Sequence, residues 1–440
     1  MSGRDAGGAR IDRHRYFEFA QRTQEADLFR PSGGEVTLLD PSDPAPCLRE
    51  VRPNLSVLPA VTDLAAAEIE LAGEPDRLQR LDKALANLAG RFEFNGQCFE
   101  LHDPIDWLTN PSQDLEWHIL LHKFYYATGL AMAYADGGER RYLDRWVALT
   151  RAWIAQTAPG FIAADVTGRR VQNWIYAFHT FGALAGTDGF CSGFLLRFLS
   201  SLEAQVEFLH AHLTPARNHR TLELYAIFLA GVAFPEFEQA AHWRAFALHE
   251  LVRNIQTDLL ADGVQCELST DYHHLVLKNY LCVRRLAQLN GIDVPAVMDQ
   301  RLVQALEFSM HAHKPDGIVP SLSDGDARGF LDLLRQGHAL FGREDMLYVA
   351  SAGAQGKAPH KRAHGFTESG YYIVRSGWGT RRAYRDEHYL IFDCGPLGAG
   401  NHGHLDSLSF ELAAHGRSLV VDPGRYTYSE AGEENWRIRF

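Results

Sequence analysis

The hydrophobic periodicity of this chain changes character once, near Pro359, from the three- and four-residue spacing of helices to the alternation of strands. Before that point apolar residues recur as Leu78, Leu81, Leu85 and Leu88, then Leu120, Phe124, Ala127 and Leu130, then Leu143, Trp146, Val147, Thr150 and Trp153. Further helices are predicted at about 171–185, 193–212, 219–233, 240–260, 272–289, 295–313 and 327–340. The breaks between them fall at Gly or Pro, as at Asp136-Gly137-Gly138, Pro159-Gly160, Pro235, Asp262-Gly263 and Pro315. A stretch of residues 61–345 that is helical throughout, with short joins, implies stacked antiparallel hairpins. A closed ring of hairpins (an α/α toroid) and an open solenoid both satisfy that pattern.

Beyond Pro359, strands are predicted at 370–375 and 388–393, followed by a hairpin of 409–414 and 417–422 around His415-Gly416. Helices first and strands afterwards indicate segregated units, an α+β multidomain chain. Four strands over 360–440 leave exposed edges, so a β-domain cut short at Phe440 is expected. Residues 1–60, rich in Gly, Pro, Arg and Asp, read as a loosely ordered lead-in with one short helical piece near 14–26.

Composition narrows the function. A net charge of −12 over 440 residues excludes general nucleic-acid binding, which needs a basic surface to neutralise phosphate. A polyanionic substrate is still open to a local basic cluster. Apolar runs such as 225–234 are too short to cross a bilayer, so no membrane insertion is expected. The six Cys have no C-x-x-C spacing, which makes reduced thiols the default. The N-terminal residues lack the apolar core of a signal peptide, pointing to the cytoplasm.

The 21 His are the unusual feature, and they cluster with other reactive groups. Asn401-His402-Gly403-His404-Leu405-Asp406 sets two imidazoles and a carboxylate at alternating positions, able to converge on a metal or a reacting group. A metallo-β-lactamase motif would need His at 407, where this chain has Ser. Arg217-Asn218-His219-Arg220 opens a helix, where the backbone N–H groups also favour anions. Ser269 to Asp271 can cap a helix that starts near Tyr272. His118 and His122 have zincin spacing, but Ile119 replaces the required Glu. Asp324-Gly325-Asp326 reads as a turn rather than a calcium loop.

These clusters, in this order, resemble the heparinase II/III family of polysaccharide lyases over roughly residues 90–440. The resemblance is carried by Pro104-Ile-Asp-Trp107, Glu116-Trp117, Arg170-Val-Gln-Asn-Trp174, Asn218-His219-Arg-Thr-Leu-Glu223, Asp262-Gly-Val-Gln-Cys-Glu267 with Tyr272-His273, and Asn401-His-Gly-His-Leu-Asp406 leading to Val421-Asp-Pro-Gly424. It implies an N-terminal α/α toroid, a C-terminal antiparallel β-sandwich and an active site in the cleft between them. Tyr272 matches the family's general acid, which is the base for some substrates. Asn218 or His219 matches the group that neutralises a uronate carboxylate, and His402 the catalytic histidine of the β-domain. Arg217, Arg220, Glu267, Trp107, Trp117 and His273 are candidates for contact with an anionic polysaccharide or oligosaccharide. His404 and Asp422 match two ligands of a structural metal, usually zinc, whose third ligand would follow residue 440. Family analogy favours a periplasmic location.

The implied chemistry is coherent. β-Elimination removes the proton at C5 of a uronic acid and expels the oxygen at C4. That proton becomes acidic only when donors neutralise the adjacent carboxylate. Two other readings remain. A glycoside hydrolase on an α/α barrel would need paired carboxylates, for which Asp106, Asp114, Glu116 and Glu267 are available. A non-catalytic glycan-binding protein would need none of this proton chemistry.

Overall fold

The computed structural model describes residues 49–52, 55–57, 77–182, 190–400, 402–405, 408–425 and 428. The predicted helix near 14–26 lies outside them, as do Asn401 and Asp406. A small hairpin comes first, β1 (Arg49–Arg52) with β2 (Leu55–Val57). Twelve helices follow among the described residues. They are α1 (Arg77–Leu88), α2 (Leu115–Lys123), α3 (Tyr125–Gly137), α4 (Arg141–Gln156), α5 (Ala164–Phe181), α6 (Ser192–Ala211), α7 (Arg217–Ala233), α8 (Ala240–Asp258), α9 (Thr270–Leu289), α10 (Ala296–Ala312), α11 (Leu331–Phe341) and α12 (Glu344–Ala350).

Two expectations are corrected. The first stretch is not helical throughout: β3 (Arg91–Phe94) and β4 (Gln97–Glu100) pair as an antiparallel hairpin after α1. Asn95 and Gly96, with φ of 50° and 71°, supply the left-handed pair that a tight hairpin turn demands. The run from Leu120 to Leu130 is also two helices rather than one. Phe124 breaks it in the left-handed conformation (φ 59°), which turns its ring into the aromatic core against Trp107 and Trp174.

Like α5, α7 is a deeply buried helix. It packs against α5, α8 and α9, and nearly every residue from Leu224 to Ala233 is out of solvent. A side chain at Gly231 would meet the Ala240 carbonyl at 2.8 Å, so only Gly permits α8 to approach this closely. Because the middle of α7 is sealed in the core, its charged and amide residues are confined to its first two turns, Arg217 to Glu223.

The C-terminal strands β5 (Ala363–Phe366), β6 (Tyr371–Arg375), β7 (Tyr389–Asp393), β8 (Ser409–Ala414) and β9 (Arg417–Val420) form one antiparallel sheet in sequential order. Alternation works as the period predicts: Tyr371, Ile373, Tyr389 and Ile391 face inward onto Val264, Leu268, Phe308 and Leu322. Across the other face Tyr372, Phe392 and Phe410 are in register, with Tyr372 and Phe410 exposed. Polar anchors fix the sheet to the helices. Tyr371 donates to the Leu268 carbonyl and Tyr389 to that of Ala312, each at 2.8 Å. Buried Lys314 pairs with buried Glu411 at 3.1 Å.

Candidate active site

The docked sheet brings the loop between β7 and β8 against the N-terminal turns of α7 and α9. Ala399 N–H donates to the Cys266 carbonyl at 2.8 Å, and the Arg217 guanidinium lies against Gly400. Ser269 caps α9 by accepting from the Tyr272 N–H, as the sequence predicts. That cap sets Tyr272 at the mouth of the loop, where its ring stacks on His402 with centroids 3.6 Å apart.

Titratable groups are arranged around that stack. Asp324 receives hydrogen bonds from His402 Nδ1 and His404 Nε2, both at 2.9 Å, while its own N–H donates to the His402 carbonyl. Burial opposes ionisation of Asp324, yet the two histidine hydrogen bonds outweigh it and hold the carboxyl well below its usual range. An ionised carboxylate only accepts, so His402 must carry its proton on Nδ1, which leaves the Nε2 lone pair as the basic atom. The Tyr272 hydroxyl meets that of Tyr428 at 2.8 Å, and Tyr428 stands 3.5 Å from His402 Nδ1. Burial raises the Tyr272 phenol well above its ordinary value, against the lowering effects of the Tyr428 hydrogen bond and Arg425. Tyr272 therefore holds its proton at neutral pH, which suits an acid rather than a base.

The first turn of α7 adjoins this group. Asn218 Nδ2 donates to Glu267 Oε2 at 2.7 Å, and Gln265 Nε2 donates to the same oxygen at 3.0 Å. Gln265 Nε2 also reaches Asp258, whose carboxyl is pushed up to about 6, chiefly by burial. Glu267 is thus a buried strut that orients the Asn218 amide. The second Nδ2 proton of Asn218 remains available to a ligand. Arg217 and His219 are exposed beside it, and Arg217 begins α7 with φ 71°.

Other candidates lie elsewhere. Arg220 is turned onto Glu250 at 2.6 Å and the Thr214 carbonyl. Trp107 and Trp117 are fully buried and cannot stack on a sugar. Trp107 packs on Phe124, and Trp117 lies between Phe94 and Phe99 while donating to the Gln97 carbonyl. His273 is also sealed in the core, where Nδ1 accepts from the Gln265 N–H and Nε2 meets the Ala305 carbonyl. Of the carboxylates weighed for a hydrolase, Asp106 accepts from Leu108 and Thr109, Asp114 caps α2 and Glu116 faces Lys123. None of these three joins Glu267.

His404 and Asp422 do not complete a metal site among the described residues. His404 spends Nε2 on Asp324, and the Asp422 oxygens accept from Ser409 and the Gly424 N–H. No third donor stands with them, and the three-donor group among the described residues is a different one.

Sequence reading missed Asp324, Tyr428, Arg328 and Arg425. Behind Tyr272, Arg328 bonds both Asp271 and Asp326, and Arg425 bonds Asp326 while lying over the Tyr428 ring. The Asp324-Gly325-Asp326 turn was the available signal: two acids around a Gly supply one carboxylate to the histidines and one to the arginines.

Residues 60–348 match the family model described as heparinase II/III N-terminus, and residues 358–439 match the one described as heparinase II/III-like, C-terminal. A heparin-sulfate lyase of Pedobacter heparinus is 27% identical over 347 residues, which cover 75% of this chain and 51% of the relative. One from Bacteroides stercoris is 25% identical over 395 residues, covering 82% and 58%. Among solved structures, a mutant of the heparan sulfate lyase HepC from Pedobacter heparinus aligns with a TM-score of 0.64 at 26% identity, covering 83% of this chain and 59% of that one. A crystal structure of heparinase III aligns with a TM-score of 0.73 at 23% identity, covering 82% and 60%. The fold is accordingly the helical toroid with an antiparallel β-sandwich sheet after it, and the open solenoid is set aside. The chain spans about half the length of the curated relatives it matches, 51% and 58% of the two named.

Proposed function

Because this chain belongs to the heparinase II/III family, we propose that it cleaves a uronic-acid-containing polysaccharide by β-elimination, with His402 and Tyr272 exchanging the protons. The observation that carries this reading is the stack of Tyr272 on His402, with Asp324 on Nδ1 of the imidazole. In the proposed step the Asn218 amide, helped by Arg217 or His219, hydrogen-bonds the uronate carboxylate and makes the C5 proton more acidic. His402 Nε2 takes that proton. The C5–H electron pair becomes the C4–C5 double bond as the C4–O bond breaks, and the Tyr272 hydroxyl gives its proton to the departing oxygen. For substrates that present C5–H on the other face of the ring, Tyr272 would have to act as base as well. Burial raises its phenol above the ordinary value, so acting as base would require a cation or donor beside it in the substrate complex.

The names of the relatives, heparin-sulfate and heparan sulfate lyases, support a glucosamine–uronate polymer as the first substrate to try. The test is ultraviolet absorbance of the conjugated C4–C5 alkene during incubation with heparan sulfate, hyaluronan and alginate. A rise that Tyr272→Phe and His402→Ala each abolish, in variants that still fold, is the expected result. New reducing ends without any absorbance rise would instead identify a hydrolase, and binding without cleavage a glycan-binding protein.

A further inference from the structure

We propose that Glu307, His311 and His364 form a binding site for a divalent transition-metal ion, best suited to Zn2+, that clips the toroid to the first strand of the β-sheet. One ligand atom from each of the three residues lies within 4.8 Å of the other two. Glu307 and His311 are four residues apart on α10, so they share a face one turn apart. Glu307 Oε1 and His311 Nε2 are 3.5 Å apart, close to the roughly 3.4 Å edge of a tetrahedron with ligands about 2.1 Å from zinc. His364 comes from β5, the edge strand that pairs with β6, and its ring centroid is 4.7 Å from that of His311. Two imidazoles and one carboxylate, with a fourth position for water, make a set that zinc accepts.

Two further features support a cation here. His364 Nδ1 is shut off from solvent and has no hydrogen-bond partner, a costly state that coordination would relieve. The surroundings also resemble the outer shell of a metal centre. Arg343 holds Glu307 Oε2 at 2.6 Å and leaves Oε1 toward the histidines. Asp345 bonds the same guanidinium at 2.8 and 2.7 Å and offsets its charge, so Arg343 orients the carboxylate without filling the site. Phe366 stacks on His364 and Trp378 lies against His311, making an apolar wall that strengthens ligand binding.

This site is separate from the His402 loop, and its test reads metal rather than product. The purified protein, stripped with a chelator, would be titrated calorimetrically with ZnCl2 and, in parallel, with Co2+ followed by visible absorbance. The proposal expects an equivalent of zinc that His364→Ala loses and His404→Ala keeps, together with the strong visible bands of tetrahedral Co2+. Zinc should raise the thermal midpoint of wild type but not of His364→Ala. Glu307→Gln, which retains an oxygen for Arg343, should weaken zinc binding at least 10-fold and decides the matter if His364→Ala fails to fold. No zinc uptake by wild type, unchanged stoichiometry in a folded His364→Ala, or unchanged zinc affinity in Glu307→Gln would overturn the proposal.

Discussion

Asp324 grips His402 by Nδ1, 2.9 Å from Oδ2, and so decides which nitrogen of that imidazole can accept a proton. The same carboxylate holds His404 through its other oxygen, so the two histidines of the β7–β8 loop are tied to one residue of the segment between α10 and α11. The loop is thus oriented by a group that lies about eighty positions away in sequence.

Asp324→Asn tests that control. The amide can still contact both rings but no longer requires His402 to donate, so the tautomer with a basic Nε2 is lost in part of the population. The turnover number should fall about 100-fold, within the range that general base catalysis supplies, with KM changed by less than a factor of three. Initial rates of alkene formation across pH measure it. Unaltered turnover would remove Asp324 from the mechanism.

Gly403 is held where no other residue fits: a side-chain carbon there would lie 1.7 Å from the Leu397 carbonyl oxygen. Gly403→Ala must displace the loop and carry His402 and His404 with it. A misplacement of about 1 Å at a reacting group can cost about 100-fold in rate. Circular dichroism should show helices unchanged while activity collapses.

Trp117→Ala separates core from carbohydrate platform. The residue is fully buried, so its truncation should cost about 3–5 kcal/mol of stability. Chemical denaturation gives that number directly. A stable variant with a raised KM for substrate would contradict the buried placement.

Glu223 makes stability depend on pH. Its carboxyl, buried beneath the start of α7 and accepting from Thr214 N–H and Oγ1, is pushed up to about 7, mainly by burial. A free Glu titrates near 4.3. Between those values the folded protein holds a proton that the unfolded chain has released, so this contribution falls as pH rises from about 4 to about 7. Glu223→Gln removes the decline. Its amide can keep both Thr214 contacts, with Oε1 accepting from the N–H and Nε2 donating to Oγ1. The thermal midpoint of the variant relative to wild type should therefore increase between pH 5 and pH 8; a constant difference would refute the raised pKa.

What was legible in the sequence was local. Hydrophobic period alone located α5 through α10 to within a few residues, except for the start of α5, and identified β6, β7 and the β8–β9 hairpin, because each element must turn one face to a core. The β3–β4 hairpin was missed although Asn95-Gly96 announced it, since four-residue strands carry too few alternations to stand out among helices. Asn218, Tyr272 and His402 stood out because each lies in a polar run, the first two at the starts of α7 and α9 and the third in the β7–β8 loop, and because those runs resemble the heparinase II/III family.

The sequence by itself determined most of the helices, the strands β6, β7, β8 and β9 that follow them, and which turns carry clustered polar side chains. Only the tertiary structure decided that Trp107, Trp117 and His273 serve the core, that Arg220 faces Glu250, and that Asp324 belongs with His402. The tryptophans and Arg220 are placed by packing within the helical part, whereas Asp324 meets His402 only when the sheet docks on the helices. Burial, proton position and pairing are properties of the folded whole: charges and rings far apart in the chain acquire them only when packing excludes water between them.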